Sequence, residues 1–279
     1  LKLAKKADVV VLVLGEHGFH SGEGRSRTQL GLPGLQQELL EQVFKVNPNI
    51  ILVLNNGRPL VLDWADQHIP AIVEAWQLGT QSGNAIAQVL YGDYNPSGKL
   101  PMSFPKALGQ VPIYYNYKST GRPTLPSPDE VFWTHYQDEQ NAPLYPFGYG
   151  LSYTTFAYSN LKINSQTDTT IDVSVDVTNT GNVQGKEVVQ LYIKDHFARP
   201  TQPIKSLKGF ELIDLNPNQT KTVHFTLTET ELGFYDNDGN FTVQPCDFSI
   251  YVGASPQPRS QICRPATEPK RSSTRGRAV

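Results

Sequence analysis

Chemistry in this chain is concentrated in one stretch, Gly15-Glu16-His17-Gly18-Phe19-His20-Ser21-Gly22-Glu23-Gly24-Arg25-Ser26-Arg27-Thr28. It carries two carboxylates, two imidazoles and two guanidiniums. Its glycines let a backbone approach a ligand closely. Carboxyl and imidazole groups held in one loop are suited to general acid/base work. Other chemistries fit the stretch poorly. Gly15, Gly18, Gly22 and Gly24 do not form G-x-G-x-x-G, and no Gly-Lys-Ser/Thr follows, so neither a dinucleotide fingerprint nor a phosphate loop is present. Ser21 has His17 and His20 nearby, but the G-x-S-x-G elbow of a serine hydrolase is missing.

The elements around the stretch explain how it would be positioned. The preceding run Val9-Val10-Val11-Leu12-Val13-Leu14 reads as a strand buried on both faces. Leu32-Pro33-Gly34-Leu35-Gln36 reads as a helix start. A polar loop at the carboxyl end of a buried strand is where open α/β sheets place ligands. Residues 3–8 read as the end of a helix. Leu35, Leu39, Val43 and Val46 recur at helical spacing, with Gln36, Gln37, Glu38 and Glu41 opposite, and Asn47-Pro48 ends that helix. Ile50–Leu54 is a second strand, closed by Asn55-Asn56-Gly57. Ala71–Trp76 is a third, followed by a glycine-containing turn and a helix over Asn84–Leu90 that Gly92 stops. Strand, helix, strand, connection, strand, helix is the order of a parallel sheet with right-handed crossovers. Taken singly, Trp76 reads as a core residue and Arg58 as a brace between carboxylates.

From Asp93 the texture changes to turn residues, and the chain reads as irregular to about Pro146. From Phe156 the hydrophobic period becomes two. Ile171-Asp172-Val173-Ser174-Val175-Asp176-Val177 alternates strictly, and Val189, Leu191 and Ile193 share a face. Val223–Leu227 and Phe248–Val252 repeat the theme, and Asp238-Gly239 marks a hairpin. Several short strands over about 100 residues read as an immunoglobulin- or fibronectin-like sandwich. After Ser255 the sequence is rich in Pro, Arg, Ser and Thr without periodicity, and reads as a disordered tail.

The chain has 279 residues, room for two domains, with a net charge of −2, 38% apolar and 18% charged residues. This is a soluble globular composition without the basic footprint of a nucleic-acid partner. No apolar run approaches the roughly 20 residues of a membrane helix. The first residue is Leu1 and the single methionine is Met102, so the chain reads as an internal or carboxyl-terminal piece of something longer. Cys246 and Cys263 could form one disulfide or remain two thiols, and no metal-ligand spacing exists. Asn218-Gln219-Thr220 and Asn240-Phe241-Thr242 are sequons that read as chance occurrences.

Several runs carry a family resemblance. Gly15-Glu16 with Glu23 and Ser26-Arg27-Thr28, Asn56-Gly57-Arg58-Pro59-Leu60, and Leu90–Pro101 (LYGDYNPSGKLP) resemble glycoside hydrolase family 3, of the bacterial periplasmic β-glucosidase type. Tyr145–Phe156 (YPFGYGLSYTTF), Val189-Gln190-Leu191-Tyr192 and Leu207-Lys208-Gly209-Phe210 extend the match, which covers about residues 1–254. The resemblance implies the carboxyl-terminal part of such an enzyme. Its α/β sandwich domain, a mostly parallel sheet flanked by helices, would span 1–115. An irregular wrapping linker (116–155), an all-β fibronectin type III-like sandwich (156–255) and the disordered tail (256–279) would follow.

By the same resemblance, Glu23 falls at the general acid/base position, with Glu16 as the alternative; Glu16 and His20 would be substrate-binding residues. The nucleophile is an aspartate on an amino-terminal (β/α)8-type barrel with no counterpart here, so this piece alone would be inactive. The implied reaction is retaining, exo-acting release of terminal β-D-glucosyl residues from β-glucosides or oligosaccharides. A β-xylosidase or arabinosidase of the same family is the alternative, and a catalytically incomplete carbohydrate-binding or structural module is another. Neither cofactor nor metal is implied, a homodimer is left open, and the location would be periplasmic or secreted. A general acid must keep its proton at working pH, so at least one of Arg25 and Arg27 is expected to point away from Glu23, to Glu16 or to a barrel carboxylate.

Overall fold

The computed structural model describes residues 1–122, 131–167, 170–196, 198–244 and 247–255. Cys246, Cys263 and the tail 256–279 lie outside the described residues. The chain divides into two compact units, one formed by Leu1–Tyr115 with Arg122–Leu151, the other by Asn116–Gly121 with the chain from Ser152 onward.

The first unit is built on a parallel sheet of β1 (Val10–Gly15), β2 (Ile50–Asn55) and β3 (Ala71–Glu74), in that order. Register runs from Val10 opposite Ile50 to Gly15 opposite Asn55, so the carboxyl ends of β1 and β2 are level. The connections are α1 (Gln36–Val46) and α2 (Asp63–His68); α3 (Ser82–Tyr91) follows β3. Gly92, at φ 80°, terminates α3 in the left-handed conformation that glycine adopts without strain. The core gathers Leu40, Val43, Ile50, Leu52, Leu54 and Leu60.

Four features depart from the sequence reading. The strand β1 is not buried on both faces. It lies at the sheet edge, with Val10, Leu12 and Leu14 against the core and Val11 and Val13 about half exposed. A continuous apolar run cannot report which face lacks a cover. The buried stripe of α1 is displaced from the expected one: Leu40, Val43 and Asn47 face inward, while Leu35 is 76% exposed. The connection between β2 and β3 contains α2, a helix of six residues, too short to display periodicity. Residues 3–8 hold only one 3-10 turn, Ala4–Lys6.

The irregular stretch after α3 is fastened by its own backbone. Leu100 and Phe104 donate to the carbonyls of Tyr149 and Tyr145, and Gly148 and Leu144 donate back to Leu100 and Phe104. The chain at the end of the first long motif run therefore lies antiparallel to the start of the second. Gly150 is required there, since a Cβ would come within 2.3 Å of the Gly98 carbonyl oxygen.

The second unit contains two three-stranded antiparallel sheets. One is β4 (Phe156–Thr167), β5 (Thr170–Asn179) and β8 (Thr220–Leu227), with β5 central. The other has β6 (Gly185–Asp195) between β7 (Ser206–Leu215) and β11 (Phe248–Gly253). Strand β5 alternates buried and half-buried residues along its whole length, as a sandwich strand should. Val175, Val177, Val189, Leu191, Ile213 and Ile250 are core residues common to both sheets. A one-turn helix, α4 (Glu229–Leu232), leads into a hairpin of β9 (Phe234–Tyr235) and β10 (Phe241–Thr242). Its turn contains Asp238-Gly239, with the Asp236 carboxylate accepting the Asp238 and Asn240 amides at 2.9 Å each.

Candidate active site

The polar loop leaves β1 through Gly15, at φ 126°. A Cβ at this position would lie 2.1 Å from the Asn55 carbonyl oxygen, so only glycine lets β1 meet the end of β2 this closely. Gln36, the first residue of α1, fixes the same point. Its Oε1 accepts the Gly15 amide at 2.6 Å and its Nε2 donates to the Gly15 carbonyl at 2.9 Å. By helical spacing alone, Gln36 falls on the polar face of α1. The only sequence signal for its role is its position at a helix start one loop after a strand end.

Glu16 follows, and its side chain has no solvent exposure. Arg27 Nη1 lies 2.8 Å from Oε1, Arg58 Nε lies 3.1 Å from the same oxygen, and the Gly57 amide donates to Oε2 at 3.3 Å. Burial pushes the Glu16 carboxyl up. The Arg27 and Gly57 hydrogen bonds and the Arg58 charge outweigh that and hold it below the usual carboxylate range. Arg27 is therefore turned to Glu16. Arg58, from the turn after β2, braces the same carboxylate.

Arg58 also sets the loop itself. Its Nη2 donates to the His20 carbonyl and, at 2.8 Å, to the Arg25 carbonyl. These two carbonyls bracket residues 21–24. Gly57 lies against the same segment, since a Cβ there would be 2.1 Å from Ser21 Oγ. Within the bracket, Gly22 and Gly24 both have positive φ, at 125° and 66°, and Glu23 between them is exposed.

The His17 and His20 rings lie with centroids 3.6 Å apart and planes tilted by 37°. His20 Nδ1 accepts the His17 amide at 3.4 Å, and His17 Nδ1 accepts the Phe19 amide at 3.1 Å. An Nδ1 that accepts a hydrogen bond carries no proton, so in each ring the N–H is on Nε2. Burial, with the Arg27 and Arg58 charges outweighing that of Glu16, holds His20 below the usual histidine range. Trp76 packs against the core, 5.8 Å from the Phe104 ring.

At the end of β3, Glu74 accepts the Trp76 amide at 3.0 Å and the Asn56 side-chain amide at 3.2 Å. Burial pushes its carboxyl up to about 7. Sequence reasoning missed Glu74 and Asn56. The available signal was a lone acid inside the apolar run Ala71–Trp76. Among the described residues, no group of three His, Cys, Asp or Glu side chains is placed to hold a metal ion, and no helix is long and apolar enough to cross a membrane.

The Glycosyl hydrolase family 3 C-terminal domain matches residues 1–153, and a fibronectin type III-like domain matches residues 187–256. The chain belongs to glycoside hydrolase family 3. Relatives in this family include a periplasmic β-glucosidase from Salmonella typhimurium, 46% identical over 256 residues, which cover 91% of this chain and 34% of that protein. A β-xylosidase from Formosa agariphila is 44% identical over 260 residues, covering 91% of this chain and 35% of that protein. Among solved structures, a β-glucosidase from Listeria innocua in complex with isofagomine superposes with a TM-score of 0.87 at 37% identity, covering 94% of this chain and 37% of that one. The chain thus spans about a third of the length of the family 3 relatives it matches.

Proposed function

We propose that this chain is the carboxyl-terminal part of a retaining, exo-acting β-glucosidase, and that Glu23 is its general acid/base. The observation that supports this most directly is the division of labour between the two loop carboxylates. Glu16 is buried and held by Arg27, Arg58 and the Gly57 amide. Glu23 is exposed on a segment that Arg58 grips on both sides. A proton donor must reach a glycosidic oxygen and later a water, and only the exposed carboxyl is accessible to either.

In a retaining mechanism a second carboxylate, about 5–5.5 Å away, attacks the anomeric carbon while the acid protonates the leaving oxygen. The same residue then takes a proton from the water that releases the sugar. The nucleophile would be an aspartate on a barrel domain of the same polypeptide. His20, through its Nε2–H, would contact a sugar hydroxyl, and Glu16 would support the loop and its substrate contacts. The Salmonella relative, a periplasmic β-glucosidase, supports a periplasmic or secreted location.

The β-xylosidase relative supports a second reading, in which the glycone is xylose. The test uses the full-length parent polypeptide and its Glu23→Ala variant, with activated aryl β-glucoside and aryl β-xyloside, with and without azide. A variant that stalls and is restored by azide as a β-glycosyl azide supports Glu23. Parent-like turnover by the variant removes the role from Glu23. The better aryl glycoside decides the glycone.

A further inference from the structure

Glu74 belongs to β3, yet its contacts lead to the loop that leaves β1. Its Oε2 accepts Asn56 Nδ2 at 3.2 Å, and the same Nδ2 donates to the Arg58 carbonyl at 2.8 Å. Asn56 is fully buried, and its Oδ1 makes no hydrogen bond among the described residues. The Asn56 amide is therefore held from its Nδ2 side, by Glu74 and the Arg58 backbone. Arg58 in turn meets Glu16 and the His20 and Arg25 carbonyls that bracket Glu23.

We infer that Glu74 is a positioning residue for Glu23, acting through Asn56 and Arg58, and that it holds the loop more firmly when ionised. This rests on the assignment of Glu23 as the acid/base. An ionised Glu74 offers an acceptor to both the Trp76 amide and Asn56. A protonated one keeps its carbonyl oxygen for one donor and turns a hydroxyl toward the other. Three influences act on Glu74: burial, the Trp76 amide and the Asn56 amide, with burial placing its ionisation at about 7. The charged groups at the neighbouring strand ends, Glu16 after β1 and Arg58 after β2, are engaged with each other, and Glu16 also with Arg27.

The experiment compares the full-length parent with Glu74→Gln, Asn56→Ala, Arg58→Ala and the double variant Glu74→Gln/Arg58→Ala. Azide rescue of Glu23→Ala is run in parallel, and folding is checked by circular dichroism. Glutamine mimics the protonated carboxyl, so its deficit in kcat should grow from about twofold near pH 5.5 to about tenfold near pH 8, with KM little changed. Asn56→Ala, which cuts the link and leaves the carboxyl, should show the same kcat deficit near pH 8. It keeps the inference testable if Glu74→Gln does not fold. The double variant should fall no further than Arg58→Ala alone. A pH-independent deficit, or additive losses in the double variant, overturns the role of Glu74 while leaving Glu23 intact. Failure of azide rescue overturns both.

Discussion

Arg58 Nε lies 3.1 Å from Glu16 Oε1, although the two residues are 42 positions apart and leave different strands. This contact joins the carboxyl ends of β1 and β2 across the level register of Gly15 and Asn55. Removing one partner of a buried ion pair leaves an uncompensated charge, which costs about 3–5 kcal/mol. Glu16→Gln should destabilise the first unit by an amount in the lower part of that range, because both arginines keep about 20% exposure of their side chains. Urea unfolding at neutral pH measures it. A loss under about 0.5 kcal/mol would show the cluster to be ornamental.

The same carboxylate gives the stability a pH dependence. Its folded pKa is depressed, so its contribution is present above the unfolded carboxylate value and is lost as pH falls through the folded value. Below about pH 4.5 the parent should lose thermal stability faster than Glu16→Gln. Glu74 acts with the opposite sign. Its folded value, about 7, lies above its unfolded one. Its favourable term is present below the unfolded value and disappears as pH rises through about 7, on the order of 3 kcal/mol in all. Between about pH 5 and pH 7 the melting temperature of Glu74→Gln should therefore vary less with pH than that of the parent.

Gly57 faces a different constraint. Its φ is not positive, so the backbone accepts alanine there, but the added Cβ would meet Ser21 Oγ at 2.1 Å and Ser21 Cβ at 2.7 Å. On the role proposed for Glu23, Gly57→Ala in the full-length parent should displace residues 21–24 and lower kcat by tenfold or more, since a displacement on the order of 1 Å at a catalytic group is enough for that. Ser21→Gly removes both obstructing atoms. The double variant Gly57→Ala/Ser21→Gly should recover most of the activity, and a double variant as poor as the single one refutes the steric account.

How much of this was legible in the sequence depended on whether a feature was periodic or relational. The alternation of Ile171–Val177 and the Asp238-Gly239 turn are local patterns, and both appear as read. The loop at the end of β1 was found because a charged, glycine-containing run follows an apolar strand. The choice of inward face on α1 was not local. A stripe through Leu35 and Leu39 and one through Gln36 and Leu40 both satisfy helical spacing. The second prevails because Gln36 completes the Gly15 backbone and Asn47 donates to the Ala4 and Ala7 carbonyls. Glu16 and Glu23 have the same chemistry and sit seven residues apart. What separates them is Arg58, whose approach to the loop is set by the pairing of β2 with β1.

Gln36 offers a direct check of that argument. Gln36→Ala leaves the Gly15 amide and carbonyl without their partners in a buried position, which should cost about 2 kcal/mol. Gln37, the next residue, makes a helical contact to Glu41 at 2.9 Å and no other side-chain hydrogen bond among the described residues, and Gln37→Ala should cost a few tenths of a kcal/mol. Equal effects in urea unfolding would mean that the clamp on Gly15 contributes nothing.

The second unit has its own buried polar centre. Asn179, at the end of β5, is fully buried. Its Oδ1 accepts Thr154 Oγ1 at 2.6 Å and the Gly181 amide at 3.1 Å, and its Nδ2 donates to the Val183 and Leu215 carbonyls at 2.8 and 3.0 Å. One side chain thus ties the approach to β4, the β5–β6 turn and the end of β7. Aspartate is nearly isosteric but cannot donate, so Asn179→Asp leaves two carbonyls unpaired and buries a charge. Alanine removes all four bonds but adds no charge. Asn179→Asp should therefore be the more destabilising at neutral pH, by more than about 3 kcal/mol, and should approach Asn179→Ala at low pH as its carboxyl protonates. Thermal melts of the two variants between about pH 4 and pH 8 decide the matter. Equal losses across that range would show that the buried charge costs nothing, and a loss under about 0.5 kcal/mol in Asn179→Ala would show that the four bonds are not what holds this end of the sandwich together.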